Sequence, residues 1–447
     1  MRLTPVAMRF SPWLAVATTL ALTLAGATAC EHAQSKPVAA STTESTPAST
    51  TASPATSASA PATTPASTNA PADSSSKNPN PSASSASASG PAELLLLQRE
   101  PRPIRALYVN RFAAQSSKKM QHLIGIADST EINGLVIDIK DEFGLNFHSS
   151  DPMLQKNEGK MNKVADLKRL VDTIRAHGIL PIARIVVFKD SVTARMNPDH
   201  TIRKTDGTPW HDKKGLMWVN PYANAIWEYN FRVAEEAVRM GFGEVQFDYI
   251  RFPEPYKSLP QQVFPESQGR TKPQALADFL NTARARMHKL GVRTTADIFG
   301  LVTTVRGALE VGQEWEVISP TVDVVLPMTY PSHYPHGSFG IKSPNANGYD
   351  VLHIAVSTAR TRDAKLSNIP PEHVRPWLQA FTLGAPHYGP AEIEAQKRGV
   401  YDSGYDGWVL WNPGSKYDEI LPALEKTFVS HKKNPPVPLP AGTRINE

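Results

Sequence analysis

The stretch Glu244-Val-Gln-Phe-Asp-Tyr-Ile-Arg-Phe-Pro253 decides the fold. It follows a glycine-containing turn, and its apolar, β-branched residues are typical of a buried strand. Side chains alternate along a strand, so Gln246, Asp248 and Ile250 are predicted to share one face. Asp248 and Arg251 place a carboxylate and a guanidinium where a buried strand ends. Such a pair is either a structural ion pair or part of a functional site, and the rest of the chain bears on that choice.

Seven further strand-like runs surround this one, and helical patterns lie between them. One of these patterns, Lys272–Leu290, is rich in Ala, Leu and Arg and ends at Gly291, as a helix does. The eight predicted strands are Ile104–Arg111, Gly134–Lys140, Leu180–Phe188, Glu244–Phe252, Arg293–Phe299, Val322–Tyr330, Arg375–Phe381 and Gly407–Asn412.

The connections between these elements differ in length at their two ends. Links from helix to strand are short and contain glycine, whereas three links from strand to helix are long: Lys189–Val219, Glu254–Arg270 and Pro331–Tyr349. This asymmetry predicts an α/β fold, a (β/α)8 TIM barrel with its site at the C-terminal face. The alternative is an open doubly wound sheet. No Gly-x-Gly-x-x-Gly or Walker-type loop follows the first strand, which argues against a nucleotide-binding form of it.

Polar and aromatic residues recur where the predicted strands end. Asp138 and Lys140 share one face of the second strand and form either an ion pair or part of the site. Arg184, within the third, is either a ligand contact or the ion-pair partner of Asp138 or Asp248. Trp411, on the eighth, is either a ligand platform or part of the core. The candidate substrate-binding residues are Tyr108, Asp138, Lys140, Arg184, Gln246, Arg251, Tyr330, Trp411 and Asn412.

This combination of side chains suits a carbohydrate, because sugar faces stack on aromatic rings and hydroxyls pair with carboxylates and amides. Glycoside cleavage needs two carboxyl groups, which Asp248 and Asp297 on neighbouring strands can supply. Glu254 and Asp138 are reserve candidates for the second group. Neighbouring strands lie about 4.8 Å apart, which favours the short carboxyl separation of a retaining enzyme. His211, His333, His336 and His387 are predicted to lie in loops without metal-ligand spacing, so no zinc site is expected. No cofactor is expected either.

The barrel region, residues 103–430, resembles the bacterial "putative glycoside hydrolase domain" family. The family's similarity to amylase-type barrels implies that Asp248 is the nucleophile, although Asp297 stands where amylases carry Glu. Tyr330 and Trp411 are also similar to residues of chitinase-type barrels, but the acidic end of the chitinase fourth-strand motif is missing here. The motifs that carry the resemblance are Ala106-Leu-Tyr-Val-Asn110, Leu135-Val-Ile-Asp-Ile-Lys-Asp141, Val245-Gln-Phe-Asp-Tyr-Ile-Arg-Phe-Pro253, Pro327-Met-Thr-Tyr-Pro331 and Gly407-Trp-Val-Leu-Trp-Asn412.

Two functional classes follow from these observations. The first is a glycoside hydrolase that cleaves a cell-envelope or extracellular polysaccharide, with Asp248 ionised and Asp297 protonated. Arg184 or Arg251 would keep Asp248 charged, and Trp411 would stack on the sugar. The second is a barrel that binds glycan without cleaving it. The formal net charge is only +5 without a basic stripe, so nucleic acid is not an expected partner.

The N-terminal ninety residues predict export rather than a folded domain. Residues 1–30 combine basic Arg2 and Arg9 with an apolar segment and small residues before Cys30, the single cysteine of the chain. The pattern resembles a lipoprotein signal, although an ordinary signal peptidase could cut at the same bond. Residues 31–92 are rich in Ser, Ala, Thr and Pro and are predicted to be a disordered tether. Residues 431–447 are predicted to be a flexible tail.

The first testable prediction is therefore that Cys30 is the lipidated N-terminus of a membrane-anchored protein in the bacterial cell envelope. An unmodified cysteine would mean that the protein is secreted without this anchor. Mass spectrometry of the mature protein, isolated from membranes, should show a diacylglycerol-modified Cys30. The variant Cys30→Ser should move the protein from the membrane fraction to the soluble fraction. An uncleaved N-terminus or an unmodified Cys30 would contradict this prediction.

Overall fold

A computed structural model describes residues 103–445 of the chain. The predicted signal sequence, Cys30 and the predicted tether lie outside the described residues.

Parallel β-strands form a closed barrel, which confirms the predicted TIM-barrel fold. The strands, in chain order, are β1 (Arg105–Val109), β2 (Gly134–Asp141), β3 (Gly144–Leu145), β4 (Leu180–Val186), β5 (Glu244–Asp248), β6 (Arg293–Phe299), β7 (Val324–Met328), β8 (Trp377–Gln379) and β9 (Trp408–Trp411). β1 pairs in parallel with both β2 and β9, and this double pairing closes the sheet. The short β3 lies outside the barrel and forms an antiparallel hairpin with β2.

Helices connect the strands and cover the outside of the barrel. The long helix predicted from residue 272 begins at Lys272, where Thr271 and Gln274 form a capping box. The α-helices are α1 (Arg111–Gln115), α2 (Ser117–Asp128), α3 (Pro152–Gln155), α4 (Leu167–Ala176), α5 (Ser191–Met196), α6 (Asn224–Arg239), α7 (Lys272–Lys289), α8 (Trp315–Ile318), α9 (Gly348–Asp363) and α10 (Pro390–Asp402). Short 3-10 helices cover Pro198–His200, Gly300–Thr303, Ser319–Thr321, Pro331–His333, Ser338–Gly340, Pro344–Ala346 and Asp418–Ala423. None of the helices among residues 103–445 combines the length and apolarity that crossing a bilayer requires.

The barrel wall separates two apolar regions, which explains why its strands are apolar on both faces. On the outer side, Phe247 of β5 packs against Phe279 of α7, with ring centroids 5.3 Å apart. On the inner side, Tyr108, Val136 and Trp377 belong to a separate buried cluster. The residues that alternate with Phe247 along β5 therefore point into the barrel.

The strand β5 ends at Asp248, four residues earlier than predicted. Tyr249 has a φ of 50°, a left-handed conformation that only a few per cent of non-glycine residues adopt, and the chain leaves the sheet there. Ile250 consequently packs in the outer core together with Phe247. The prediction that Ile250 shares the face of Asp248 is wrong, because the alternation of side chains stops where the strand does.

Hydrogen bonds join part of the predicted flexible tail, residues 431–447, to the folded domain. The backbone N–H of His431 donates a hydrogen bond of 2.8 Å to the carboxylate of Asp406. Further along, the N–H of Val437 donates to the carbonyl oxygen of Asp402, also at 2.8 Å. The segment is thus tied to the end of α10 and to the connection that follows it as far as Val437.

A buried ion pair crosses the interior of the barrel below the site. Arg375 Nη1 lies 2.7 Å from Glu244 Oε1, and both side chains are almost completely buried. Glu244 begins β5 and Arg375 precedes β8, and two other strands lie between these in the sheet. The pair therefore joins separate parts of the barrel wall.

We predict that Arg375→Met lowers the free energy of unfolding by about 3–5 kcal/mol, because it leaves the Glu244 carboxylate buried without its cation. Urea denaturation of the parent and the variant measures this difference. The matched control is Lys168→Met, which removes the exposed partner of Asp172 and should cost only about 0–1 kcal/mol. Equal losses in the two variants would contradict the assigned role of the buried pair.

Candidate active site

One arginine lies among three carboxylates at the C-terminal mouth of the barrel. Arg184 projects inward from β4; its Nη1 binds Asp138 of β2 and its Nη2 binds Asp248 of β5. Its Nε lies 3.7 Å from Asp297 Oδ2 of β6. The sequence left open whether Arg184 pairs with Asp138 or Asp248, and the structure shows that it pairs with both. The three carboxylates come from different strands, as is usual for a TIM-barrel site.

Asp297 is the deepest of these carboxylates. Its side chain is fully buried, whereas those of Asp138 and Asp248 each keep 6% of their surface exposed. Asp297 Oδ1 accepts hydrogen bonds from Trp377 Nε1 at 2.7 Å and from Gln246 Nε2 at 2.8 Å. These two side chains fix the carboxyl group below the guanidinium of Arg184.

The surroundings of Asp297 favour its protonated form. Burial, followed by the nearby charge of Asp248, raises the pKa of Asp297 well above its ordinary value. The hydrogen bonds that Trp377 and Gln246 donate oppose this rise, because they stabilise the ionised carboxylate. Gln246 Oε1 is buried without a hydrogen-bond partner among the described residues, and a turned-over amide would let Oε1 accept a hydrogen bond from a protonated Asp297. One guanidinium and three carboxyl groups thus form a cluster in which burial raises the pKa of the deepest carboxyl.

Tyr108 and Asp138 form the opposite side of the cluster. The phenol of Tyr108 donates a hydrogen bond of 2.5 Å to Asp138 Oδ2, and its ring lies 5.5 Å from Arg184 Cζ. Burial raises the pKa of Asp138, and the charge of Arg184 opposes that rise. Asp138 is therefore a second carboxyl at the mouth whose pKa is raised.

Aromatic side chains stand next to the carboxylates. Tyr330 stacks on Trp411 with ring centroids 5.0 Å apart and planes inclined by 25°. Phe381 meets the same indole edge-on at 5.0 Å. Burial raises the pKa of Tyr330, and the charges of Asp297 and Asp248 raise it further, so this ring also borders the cluster. Trp411 is partly exposed, but Tyr330 covers one of its faces. Only the remaining part of the indole could contact a sugar.

Lys140 does not reach the mouth. A β-bulge between Asp138 and Lys140 shifts the strand register, so that Lys140 pairs with Ile185 and turns to the outer side of the barrel. Its Nζ lies 2.8 Å from Asp190 Oδ2. The prediction that Asp138 and Lys140 share one face is wrong, because simple alternation does not hold across a bulge.

Two other predicted substrate contacts already bind protein groups. Arg251 Nη1 pairs with Glu254 Oε2 at 3.1 Å, so of the two arginines considered for Asp248, Arg184 is the partner. The Asn412 amide donates to the Ala380 carbonyl at 2.6 Å, and its oxygen accepts from the backbone N–H of Gly414. Asn412 thus holds the turn after β9.

Trp377, the indole donor to Asp297, was not among the predicted site residues. Alternation along β8 offered a signal, because Trp377 lies between Arg375 and Gln379 on the same face as both. Across the part of the chain that the structure describes, no three His, Cys, Asp or Glu side chains are grouped so that they could hold a metal ion.

Comparison with known proteins agrees with this architecture. The family described as "Putative glycosyl hydrolase domain" matches residues 106–417. The chain belongs to this family. No curated protein matches the chain. The glycosyl hydrolase family assignment therefore rests on a match that begins in β1 and ends beyond β9, and so includes every strand of the barrel.

Two solved structures illustrate the likeness of this glycosyl hydrolase domain to other proteins. A hypothetical protein from Ruminiclostridium thermocellum ATCC 27405 is 33% identical over 43% of this chain and 96% of its own, with a TM-score of 0.39. The PgaB (BpsB) glycoside hydrolase domain from Bordetella bronchiseptica is 12% identical over 70% of this chain and 95% of its own, with a TM-score of 0.53. At 12% identity, the second match shows a common fold.

We predict that Asp297→Asn becomes increasingly stable relative to the parent as the pH rises from about 4 to 8. An unfolded aspartate ionises near pH 3.9, whereas folded Asp297 keeps its proton to a higher pH. Stability from this group is therefore present at low pH and is lost as the pH rises, whereas asparagine has no proton to lose. Unfolding free energies measured across this range test the trend, with exposed Asp172→Asn as the control. A constant difference between Asp297→Asn and the parent would contradict it.

Proposed function

We propose that this protein is a glycoside hydrolase that cleaves a cell-envelope or extracellular polysaccharide at the mouth of its barrel. The observation that carries the proposal is the unequal environment of two neighbouring carboxyl groups. Asp248 is bound by the guanidinium of Arg184, which favours its charged form, whereas Asp297 is buried and its pKa is raised. Two carboxyls kept in different protonation states are what acid-assisted glycoside cleavage requires.

In the proposed reaction, Asp248 attacks the anomeric carbon as the bond from that carbon to the leaving oxygen breaks. A protonated carboxyl gives its proton to the leaving oxygen. Water then cleaves the glycosyl ester on Asp248 and returns a proton to the same acid. The product would keep the anomeric configuration of the substrate, which NMR of the freshly released sugar can establish.

Two carboxyl groups are candidates for the acid that protonates the leaving oxygen. Asp297 holds its proton more firmly, but Arg184, Gln246 and Trp377 cover it, so Arg184 must move aside before a substrate oxygen can reach it. Asp138 is partly exposed at the mouth and its pKa is also raised. Asp297 is the acid that the strand pattern predicts, and Asp138 is the acid that accessibility favours.

One observation favours a barrel that binds glycan without cleaving it. In the structure Arg184 contacts all three carboxylates at once. A cluster whose carboxylates are already paired in this way would shape the mouth without taking part in a reaction. The partly exposed face of Trp411 would suit sugar binding under either proposal. Measured turnover separates the two functions, since binding alone releases no reducing ends.

The location of the protein forms part of the proposal. A lipid at Cys30 and a tether of ~60 residues would hold the barrel near a membrane but leave it free to search up to about 190 Å away, at 3.1 Å per extended residue. Peptidoglycan strands and envelope polysaccharides would lie within that reach. This position supports a polysaccharide substrate in the cell envelope.

We predict that Asp248→Asn loses most of the hydrolysis of any polysaccharide that the parent cleaves, about 10²-fold or more, while the thermal unfolding temperature stays close to that of the parent. Comparison of the variants Asp297→Asn and Asp138→Asn then shows which of these two carboxyl groups protonates the leaving oxygen. The variant that lacks the acid should lose polysaccharide cleavage but retain cleavage of an aryl glycoside, whose leaving group needs no proton. Release of reducing sugar and of nitrophenol measures the two reactions.

The control is Asp172→Asn, an exposed substitution outside the barrel mouth, which should leave both rates unchanged. Full turnover of the polysaccharide by a correctly folded Asp248→Asn variant would end the assignment of Asp248. If neither Asp138→Asn nor Asp297→Asn separates the two substrates, the proposed acid lies elsewhere.

A further inference from the structure

A cluster of cationic and aromatic side chains follows the carboxyl ends of β4 and β5. Lys189 follows β4, and Tyr249 and Arg251 follow β5. Lys189 Nζ lies 4.9 Å from the centroid of the Tyr249 ring, and Arg251 Cζ lies 5.0 Å from the same centroid. Two cations therefore share one aromatic ring, and that ring belongs to the residue directly after Asp248.

The backbone of Tyr249 is bent to make this arrangement. Its φ of 50° is a strained conformation for a tyrosine, and such strain concentrates at functional sites. The bend brings the ring edge-on to Trp218, with centroids 5.9 Å apart. Arg251 lies 5.0 Å from the Trp218 ring as well. The aromatic rings of Tyr249 and Trp218 thus hold Arg251 in a fixed place.

The two cations are buried more deeply than the acids that pair with them. The side chains of Lys189 and Arg251 are 9% and 6% exposed, whereas those of their partners Glu142 and Glu254 are 27% and 25% exposed. Lys189 Nζ and Glu142 Oε1 are 3.7 Å apart, which is too long for a hydrogen bond. The ammonium of Lys189 is therefore nearly buried and incompletely satisfied by its protein partner.

Lys189 nevertheless remains charged. Burial and the positive charge of Arg251 lower the pKa of Lys189, but Tyr249, Glu142 and Asp212 together raise it above its ordinary value. The two cations thus interact with each other across the Tyr249 ring. Nearby acids already balance these charges, but an ammonium whose partner Glu142 lies beyond hydrogen-bond distance keeps donors for a carboxylate or a phosphate.

We propose that Lys189 and Arg251 bind the carboxylate of a uronic acid residue, so that the polysaccharide cleaved at Asp248 is an acidic one. This inference rests on the proposed glycosidase function for the sugar part of the ligand. A single negative charge fits better than the double charge of a phosphate, because Glu142 and Glu254 already stand near the two cations. The carboxylate would replace the long contact of Lys189 with Glu142.

Binding measurements on the full chain carrying Asp248→Asn test the proposal without turnover. The probes are trisaccharides of galacturonate, glucuronate and mannuronate, each compared with its uncharged methyl ester by isothermal titration calorimetry at low salt. We expect at least one acid to bind about tenfold or more tightly than its ester, as one charged hydrogen bond would provide. Glucose 6-phosphate is the probe for the alternative ligand, a sugar that carries a phosphate in place of a carboxylate.

Substitutions then assign the binding to the cluster. Lys189→Met and Arg251→Met should each weaken the preferred uronate by about tenfold and leave the affinity for its ester unchanged. Lys189→Arg keeps the charge and should retain the preference, which guards against a mere folding defect in the methionine variant. Lys289→Met, which removes an exposed lysine at the end of α7 on the opposite face of the barrel, is the matched control.

The outcomes separate this inference from the proposed function. Equal binding of acid and ester in all three pairs, or unchanged binding by Lys189→Met, would overturn the inference, and so would binding of glucose 6-phosphate alone. Cleavage of a neutral polysaccharide by the parent with no preference for uronates would leave the glycosidase function standing without the acidic substrate. Uronate binding that depends on Lys189, without cleavage of any glycan, would instead contradict the proposed glycosidase function.

Discussion

The site depends on one guanidinium that contacts three carboxyl groups. Arg184 enters the barrel from β4 and contacts Asp138, Asp248 and Asp297, which come from three other strands. Charged groups so deeply buried are stable only when they are paired or protonated. With one cation for three acids, the cluster cannot be fully neutralised by pairing, and the pKa of the most buried acid is raised. The unequal protonation on which the proposed chemistry relies is thus a consequence of burial and of the number of charges.

The same cluster explains the arrangement around it. Trp377 and Gln246 donate hydrogen bonds to Asp297 from below, Tyr108 supports Asp138, and the pair of Tyr330 and Trp411 closes the side of the mouth. These supports, apart from Tyr330, which follows β7, come from strands, which gives the carboxyl groups fixed positions. The loops add a different feature. Lys189, Tyr249 and Arg251 lie just beyond the strand ends, where two cations contact the ring of the residue that follows Asp248.

The barrel and the identity of its inward carboxylates could be predicted from the sequence, because alternation and loop length are local signals. Asp138, Arg184, Asp248 and Asp297 follow from the strand pattern alone. Three features could not be read in this way. The bulge that turns Lys140 outward depends on its pairing with β4, the left-handed Tyr249 depends on contacts with distant loops, and the indole of Trp377 reaches Asp297 across the barrel. Each of these is set by tertiary contacts that no window of sequence contains.

The central claim is that Asp297 is protonated beside an ionised Asp248 at neutral pH. Infrared difference spectroscopy of the parent against Asp297→Asn at pH 7 tests it directly, because the carbonyl stretch of a protonated carboxyl is distinct from the bands of a carboxylate. The claim predicts a protonated-carboxyl band in the parent that Asp297→Asn removes and that Asp172→Asn leaves in place. A parent spectrum in which Asp297→Asn removes only carboxylate bands would contradict it.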